Sequence, residues 1–359
     1  MAVVLGLRAD NLEAYVAAIF RALGSDGNEA HQVAAHLVDA NLTGHDSHGV
    51  ARIPRYVGYA RDGLLTFNAR PKLLRQSATL AVLDGDGGLG QAIGHRAVAE
   101  GVARARQSGV ALVALTNVGH LGRIGAWAEL AAADGMASLH FVNTTGAGMR
   151  VAPFGGSDAR LSTNPIVIGL PRQDAPPVIH DAATSFIAEG KAMVARSRGE
   201  PVPDGALYDA AGRPTRDPAA LYTEPPGALT AFGLHKGSGL SVMVDLLAGA
   251  LTGGGSTRAG VRRLANNMLS VFIRPDGLGD QAAYEAEVGR FLHWVASSRP
   301  LVPGHRVLLP GEVERETRER RRRDGIPMDE ASWAAIGQAA QDGGLAAAEN
   351  EQLRAAVPA

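Results

Sequence analysis

Within one short stretch, Gly44-His45-Asp46-Ser47-His48-Gly49, the chain gathers two imidazoles beside a carboxylate and a hydroxyl. Histidine is the side chain whose unperturbed pKa lies nearest neutrality, and neighbouring Ser and Asp groups can set its pKa and orientation. Proton transfer is therefore one chemistry for this stretch. Metal ligation is a second, because histidines at i and i+3 can converge on one ion. It requires at least one further ligand, and neither an HExxH segment nor a paired acid cluster offers one. The third is structural, a polar helix terminus capped by Asp46 and Ser47. Arg52 follows four residues after His48, on the same helical face if a helix begins at Gly49. A guanidinium there suits a substrate carboxylate, which it can bind bidentately.

Further polar clusters sit among glycines. Gly119-His120 leads into Gly122-Arg123-Ile124-Gly125, where glycines let backbone N–H groups approach a phosphate. His235-Lys236-Gly237 opens a later helix, another place for an anion. Gly85-x-Gly87-x-x-Gly90 follows a strand and opens a helix, the setting of a dinucleotide fingerprint. That fingerprint also needs an acid at the end of the next strand, about 20 residues on. The next strand ends at Leu115-Thr116-Asn117, with no acid, so the triplet is read as a tight strand-to-helix turn. Arg315–Arg323 carries six arginines interleaved with Glu316 and Glu319, which reads as a solvated helix face rather than a nucleic-acid surface.

Hydrophobic periodicity supplies the elements that hold these residues. Helices are predicted over 10–23, capped by Asp10 and stopped by Gly24, and from Ser25 or Asn28 to Gly44. Others cover 50–62, 91–107, 126–134, 184–197, 236–252 and 285–297, with a helix pair from Pro327 onward. Strands are predicted at 79–83, 110–115, 137–143, 166–170, 178–181 and 268–273. Residues 199–229, rich in Pro, Gly and Asp, read as a surface excursion. The pattern is α/β with helical additions at both ends.

The 359 residues are 46% apolar and 20% charged, with net charge −1, an ordinary globular composition of two to three domains. Near-neutral charge gives no pull toward nucleic acid or membrane, and no apolar run is long enough to span a bilayer. The absence of cysteine removes disulfides, thiolate metal sites and thiol nucleophiles. The six-residue apolar run Ala2–Leu7 lacks a basic leader, so cytoplasm is the expected location. Only Lys72, Lys191 and Lys236 are lysines among 35 basic residues, which draws attention to the glycine-flanked Lys191 and Lys236 as phosphate contacts.

Nearly end to end, the sequence resembles the malate/L-lactate dehydrogenase family of NAD(P)-dependent 2-hydroxyacid oxidoreductases. The resemblance rests on Gly44–Gly49 through Arg52 and Pro54-Arg55-Tyr56, Asp84–Gln91, Gly119-His120 and Thr163-Asn164-Pro165. It continues through Asp181–Ser185 with Gly190-Lys191, Pro153–Asp158, Lys191–Pro218, the helix from His235 to Gly253, and Asn266–Ser270. It implies a non-Rossmann nicotinamide-dinucleotide-binding α/β fold with a largely antiparallel central sheet and helical N- and C-terminal regions. The implied regions are 1–75, packing with helices of 325–359; a substrate-side part, 76–120 with 295–324; and a cofactor-binding part, 121–294. A homodimer with sites near the subunit boundary is implied too.

Carried over by residue, Ser47 and His48 belong to the acid–base apparatus, with His120 as the alternative proton donor. Arg52 would bind the substrate carboxylate and Thr163 would contact substrate. Cofactor contacts would come from His48, Gly122, Arg123, Ile124, Asp181, Ala182, Ala183, Thr184, Ser185, His235, Asn267, Pro310, Gly311 and Glu312. NAD is the implied cofactor, with NADP as the alternative, and no metal is required. Imine-reducing relatives carry an acid at the position of Glu189, which keeps a cyclic imino acid reductase as the alternative activity.

Overall fold

The computed structural model describes residues 4–146, 148–261 and 263–358. Strands are β1 (Val4–Leu7), β2 (Lys72–Gln76), β3 (Leu80–Asp84), β4 (Val110–Val118), β5 (Ala137–Thr145), β6 (Ile166–Leu170), β7 (Val178–Ala182), β8 (Leu207–Tyr208), β9 (Pro214–Thr215), β10 (Ala228–Leu229), β11 (Ala265–Ile273) and β12 (Ile326–Asp329). Helices are α1 (Ala9–Ala22), α2 (Gly27–Leu42), α3 (Ile53–Arg61), α4 (Gly90–Ser108), α5 (Gly125–Ala133), α6 (Glu189–Arg198), α7 (His235–Asp245), α8 (Gln281–Ala296), α9 (Glu312–Asp324), α10 (Glu330–Asp342) and α11 (Ala347–Ala356).

The two chain ends build one helical unit. Its apolar stripes, including Leu12, Val16 and Ile19 of α1 and Val33 and Leu37 of α2, share a core with Trp333 and Ile336 of α10. The β1 strand pairs antiparallel with β12, placing Leu7 opposite Ile326. Neither strand was foreseen, because each is only four residues long and pairs across the whole sequence. Val4–Leu7 of the apolar N-terminal run form β1, and Ala2 and Val3 lie outside the described residues. Arg8, not Asp10, occupies the N-cap of α1. For α2 the cap is Asp26, whose carboxylate accepts from Glu29 N at 2.8 Å.

A seven-stranded sheet of order β2-β3-β4-β11-β5-β6-β7 forms the centre. Every adjacent pair is antiparallel except β3–β4, which is parallel and connected through α4. Alternation puts Val142 and Phe272 on the face covered by α4 and α5. Asn143 and Asn267 point to the opposite face, toward Asp245 of α7 and Gly255.

The glycine triplet proves to be a packing device. A Cβ on Gly90 would lie 2.3 Å from His120 O, and Gly119 N donates to Gly88 O at 2.8 Å. The turn therefore brings the α4 entry against the backbone of His120, in keeping with its reading as a tight turn.

Several element limits shift. Residues 184–188 stay non-helical and α6 begins at Glu189, while the helix expected over 236–252 becomes a π-helix at Leu246–Ala250. The 199–229 excursion is more than a surface loop. It joins the small sheet β10-β8-β9 and has its own core, with Val202, Leu207 and Leu221 against Val151. The arginine-rich helix α9 is not wholly solvated either. Arg318 bonds Asp39 and Glu129, and Arg321 bonds Asp46. Those carboxylates lie far off in sequence, so local charge alternation could not reveal them.

The approach of α4 to the sheet gives a direct test. A Cβ on Gly101 would sit 2.1 Å from Cε2 of the fully buried Phe272. Gly101→Ala is expected to destabilise the protein by about 1–3 kcal/mol, the usual range for overpacking, read as a lower urea midpoint at unchanged slope.

Candidate active site

One end of the sheet carries the site. His120 follows β4, Thr163 precedes β6, Asp181 and Ala183 lie at the end of β7, and Asn266 lies at the start of β11. The antiparallel pairing is what puts these strand ends together. They floor a cavity of about 760 Å³ whose other walls are the 44–52 turn, the start of α6, and α9. That size suits a cofactor together with a small substrate.

The 44–52 turn is two consecutive 3₁₀ turns, Asp46–His48 and Val50–Arg52, so Arg52 does not share a helix with His48. Asn41, fully buried on α2, holds both turns. Its Nδ2 donates to Asp46 Oδ1 at 2.7 Å, and its Oδ1 accepts from Val50 N at 2.8 Å. A Cβ on Gly49 would lie 2.1 Å from that same Oδ1, so only glycine fits. Arg321 of α9 grips Asp46 with two bonds, 2.6 and 3.0 Å, and also donates to Asn41 O. Arg52 Nε donates to Ser47 O at 2.6 Å, which leaves the end of the guanidinium directed by the turn it helps close.

His48 and His120 meet inside the cavity. Their rings stack with centroids 5.3 Å apart, and His48 Nδ1 lies 3.3 Å from His120 Nε2. Behind them, Tyr56 Oη is 2.7 Å from His120 Nδ1 and accepts from Gln91 Nε2 at 2.8 Å. Burial, then the charge of Arg52, pushes both imidazoles well below the ordinary histidine range. They are neutral at neutral pH. His45 takes a different partner, Glu314 of α9, at 3.4 Å. Among the described residues no group of three or more His, Cys, Asp or Glu side chains forms a metal-binding cluster.

Ser47 is pressed against α6, where a Cβ on Gly190 would fall 1.8 Å from Ser47 Cβ. The neighbouring Glu189 carboxylate bonds Arg150 at 3.0 Å.

Of the residues expected at the cofactor, Gly122, Arg123, Ile124, Asp181, Ala183 and Ser185 line the cavity. Gly122 has φ +73°, and a Cβ there would strike His36 Nε2 at 2.2 Å. The turn leads into α5, whose start is capped from β7: Asp181 Oδ2 accepts from Gly125 N at 2.8 Å and sets a carboxylate at the cavity wall. The Arg123 guanidinium is buried against Asp39 and Glu129 at 2.8 Å each. Burial opposes that charge, yet the two carboxylates more than offset it and raise its pKa.

The remaining expected residues lie off the cavity. Thr184 is buried and donates to Thr163 O at 2.9 Å. Asn267 is tied to Asn143 and Gly255, and Ala182 is a β7 residue paired with Ile166. Glu312 bonds Arg306 and the N–H of Leu309, beside Pro310 and Gly311. His235 is exposed at the start of α7, against Phe154. Sequence reasoning missed Asn41 and Arg321 as parts of the site, and named Tyr56 and Gln91 only within motifs. The polar run from Thr43 to His48 was the available signal for Asn41, and nothing local marked Gln91 or Arg321 for this role.

His36 links this site to stability. Its Nε2 accepts from Arg123 N at 3.0 Å, and burial, reinforced by Arg123, pulls its pKa down to about 3. Between pH 6.5 and 3 the unfolded chain binds the proton that folded His36 refuses, so stability rises with pH across that window. Acidification from pH 6.5 to 5 should cost about 2 kcal/mol through His36. His36→Gln should flatten that part of the pH dependence of urea unfolding.

Residues 7–337 match the family model for malate/L-lactate dehydrogenase. Hydroxycarboxylate dehydrogenase B of Escherichia coli (strain K12) is 43% identical over 94% of each chain. An L-lactate dehydrogenase of Cupriavidus necator is 39% identical over 87% of this chain and 90% of that protein. A solved E. coli structure, provisionally described as a malate/lactate dehydrogenase, superposes with a TM-score of 0.93 at 42% identity, covering 97% of this chain and 98% of that one. With sequence and fold agreeing over nearly its whole length, this oxidoreductase belongs to the malate/L-lactate dehydrogenase family.

Proposed function

We propose that the enzyme interconverts a 2-hydroxycarboxylate and its 2-oxo acid, with Arg52 as carboxylate clamp and His120 as proton donor. The observation that carries this is the placing of Arg52 beside two neutral imidazoles in one cavity. A general acid must be oriented from behind. His120 has Tyr56 at its far nitrogen, whereas His48 Nδ1 faces only His120. We therefore assign His120 as donor, with Ser47 and His48 shaping the pocket around the reacting carbonyl and Thr163 contacting the substrate.

The nicotinamide, when bound, supplies the hydride. Gly122, Ile124, Asp181, Ala183 and Ser185 would hold the dinucleotide along the wall that leads into α5. NAD is the preferred form on family resemblance, with NADP as the alternative. The fold is read as a non-Rossmann dinucleotide-binding type, which the single parallel strand pair supports. The regional division into 1–75 with 325–359, 76–120 with 295–324, and 121–294 is kept as part of this reading. The first of these regions is supported by the shared core of the chain ends.

A homodimer is part of the proposal. Val242, Met243, Leu246 and Leu251 expose an apolar stripe along α7 and the π-helix, more than single scattered side chains would. His235 stands on the same element, off this chain's own cavity, so its cofactor contact would be made across the dimer. The location that accompanies the reading is the cytoplasm. Among the described residues, no helix is long and apolar enough to cross a membrane.

The imino acid alternative needs Glu189 to act through Ser47. The Glu189 carboxylate is instead bonded to Arg150, which favours the oxo-acid reading. The test is turnover of purified enzyme with NADH, then NADPH, against a panel of 2-oxo acids and cyclic imines. Loss of nicotinamide absorbance with a 2-oxo acid is expected. Turnover with pyrroline- or piperideine-2-carboxylate alone would overturn the assignment.

A further inference from the structure

Behind the reacting pair lie two side chains, Gln91 and Tyr56, that neither substrate nor cofactor needs to touch. Gln91 is fully buried, and Tyr56 nearly so. Gln91 Nε2 donates to Tyr56 Oη at 2.8 Å, and Tyr56 Oη lies 2.7 Å from His120 Nδ1. A phenol has one proton to give. With Gln91 filling an acceptor site on Oη, that proton has His120 Nδ1 as its partner.

The reverse polarity would turn the Gln91 amide over. Its oxygen would face Tyr56, and the buried NH₂ would occupy the place where Oε1 now has no partner. Both arrangements leave one Gln91 N–H without a partner; turning the amide over replaces the unmet oxygen with a second unmet N–H, the rarer orphan in buried settings, so the first polarity wins. Burial also pushes the Tyr56 phenol up to about 12, against the opposing charge of Arg52, so it keeps its proton across the working range.

We infer that Tyr56, itself fixed by Gln91, is a positioning residue that locks His120 as the Nε2–H tautomer and resupplies Nδ1 during the reaction. This rests on His120 being the proton donor proposed above. A neutral imidazole is a poor acid unless a proton arrives at one nitrogen as another leaves the second.

In the reducing direction, with a bound nicotinamide supplying the hydride, the carbonyl oxygen would take the Nε2 proton of His120. The Nε2–H bond breaks, the Tyr56 O–H bond breaks, and an Nδ1–H bond forms. The imidazole stays neutral and Tyr56 is a phenolate only transiently: once product leaves, His120 Nε2 takes a proton from solvent in the open cavity and the Nδ1 proton returns to the buried Tyr56 Oη. In the resting site His48 Nδ1, 3.3 Å from His120 Nε2, is the stand-in acceptor for that outward proton.

The tautomer can be read without any substrate, which separates this inference from the proposed activity. Protein labelled with ¹⁵N-histidine, with His120→Ala used for assignment, should show His120 Nε2 protonated and Nδ1 as the bare, hydrogen-bonded nitrogen. Tyr56→Phe should mix the two tautomers. It should also lower kcat for 2-oxo acid reduction roughly tenfold to a hundredfold, with KM within about twofold. In mixtures of H₂O and D₂O, the rate of the unaltered enzyme should follow the bowed dependence of two protons in flight, and that of Tyr56→Phe a straight line.

If Tyr56→Phe does not fold, Gln91→Met, which removes the donor behind Tyr56 at similar volume, should shift the tautomer in the same direction. A protonated Nδ1 in the unaltered enzyme would overturn the inference. So would a Tyr56→Phe enzyme with unchanged tautomer and unchanged kcat.

Discussion

The side-chain amide of Asn41 ties the histidine-bearing turn to the helical unit, and the geometry of the site hangs on that tie. Both ends of the amide are used, one on the Asp46 carboxylate and one on the Val50 N–H. Leaving either partner unmet in a buried setting would cost about 1–3 kcal/mol. Two short 3₁₀ turns have little hydrogen bonding of their own, so they hold their shape only because an outside group satisfies them. Arg321 of α9 completes the clamp from the other side. The chain ends are therefore not an appendage to the catalytic sheet. They carry Ser47, His48 and Arg52 to the strand ends where His120, Thr163 and Asp181 wait.

Around that clamp, charge is distributed so that the reacting groups start neutral and the supporting groups are saturated. Arg123 and Arg318 share Asp39 and Glu129 in a compact network that joins α2, α5 and α9. Burial, and after it the charge of Arg52, holds the two imidazoles in the neutral form. A bound carboxylate would offset the Arg52 charge at the moment when proton transfer is required. In the proposed reading, this one guanidinium would couple substrate binding to acid–base chemistry.

Much of this was legible in the sequence where the signal was local. The glycine-flanked histidines and Arg52 rest on residues within a few positions of one another, and the refusal of a dinucleotide fingerprint at Gly85–Gly90 on one strand–helix–strand unit. The helical unit was visible from the periodicity of residues 10–42. What stayed hidden needed contacts across the chain. Tyr56 finds His120 at a separation of 64 residues, and Arg321 finds Asp46 at 275. Their types are ordinary for a helix surface, so nothing in the local pattern sets them apart. The same reason explains the reading of α9 as solvated and the missed pairing of β1 with β12. Asn267 entered through family resemblance alone and His235 also through the glycine-flanked start of its helix, and this chain places both away from its own cavity.

The most direct test of the account is a crystal structure of the enzyme with NADH and oxamate, the amide analogue of a 2-oxo acid. The oxamate carboxylate should lie on the terminal nitrogens of Arg52, with the adjacent carbonyl oxygen about 3 Å from His120 Nε2. Oxamate seated on another cation, such as Arg55 or Lys191, without contact to His120 would contradict the assignment of both residues.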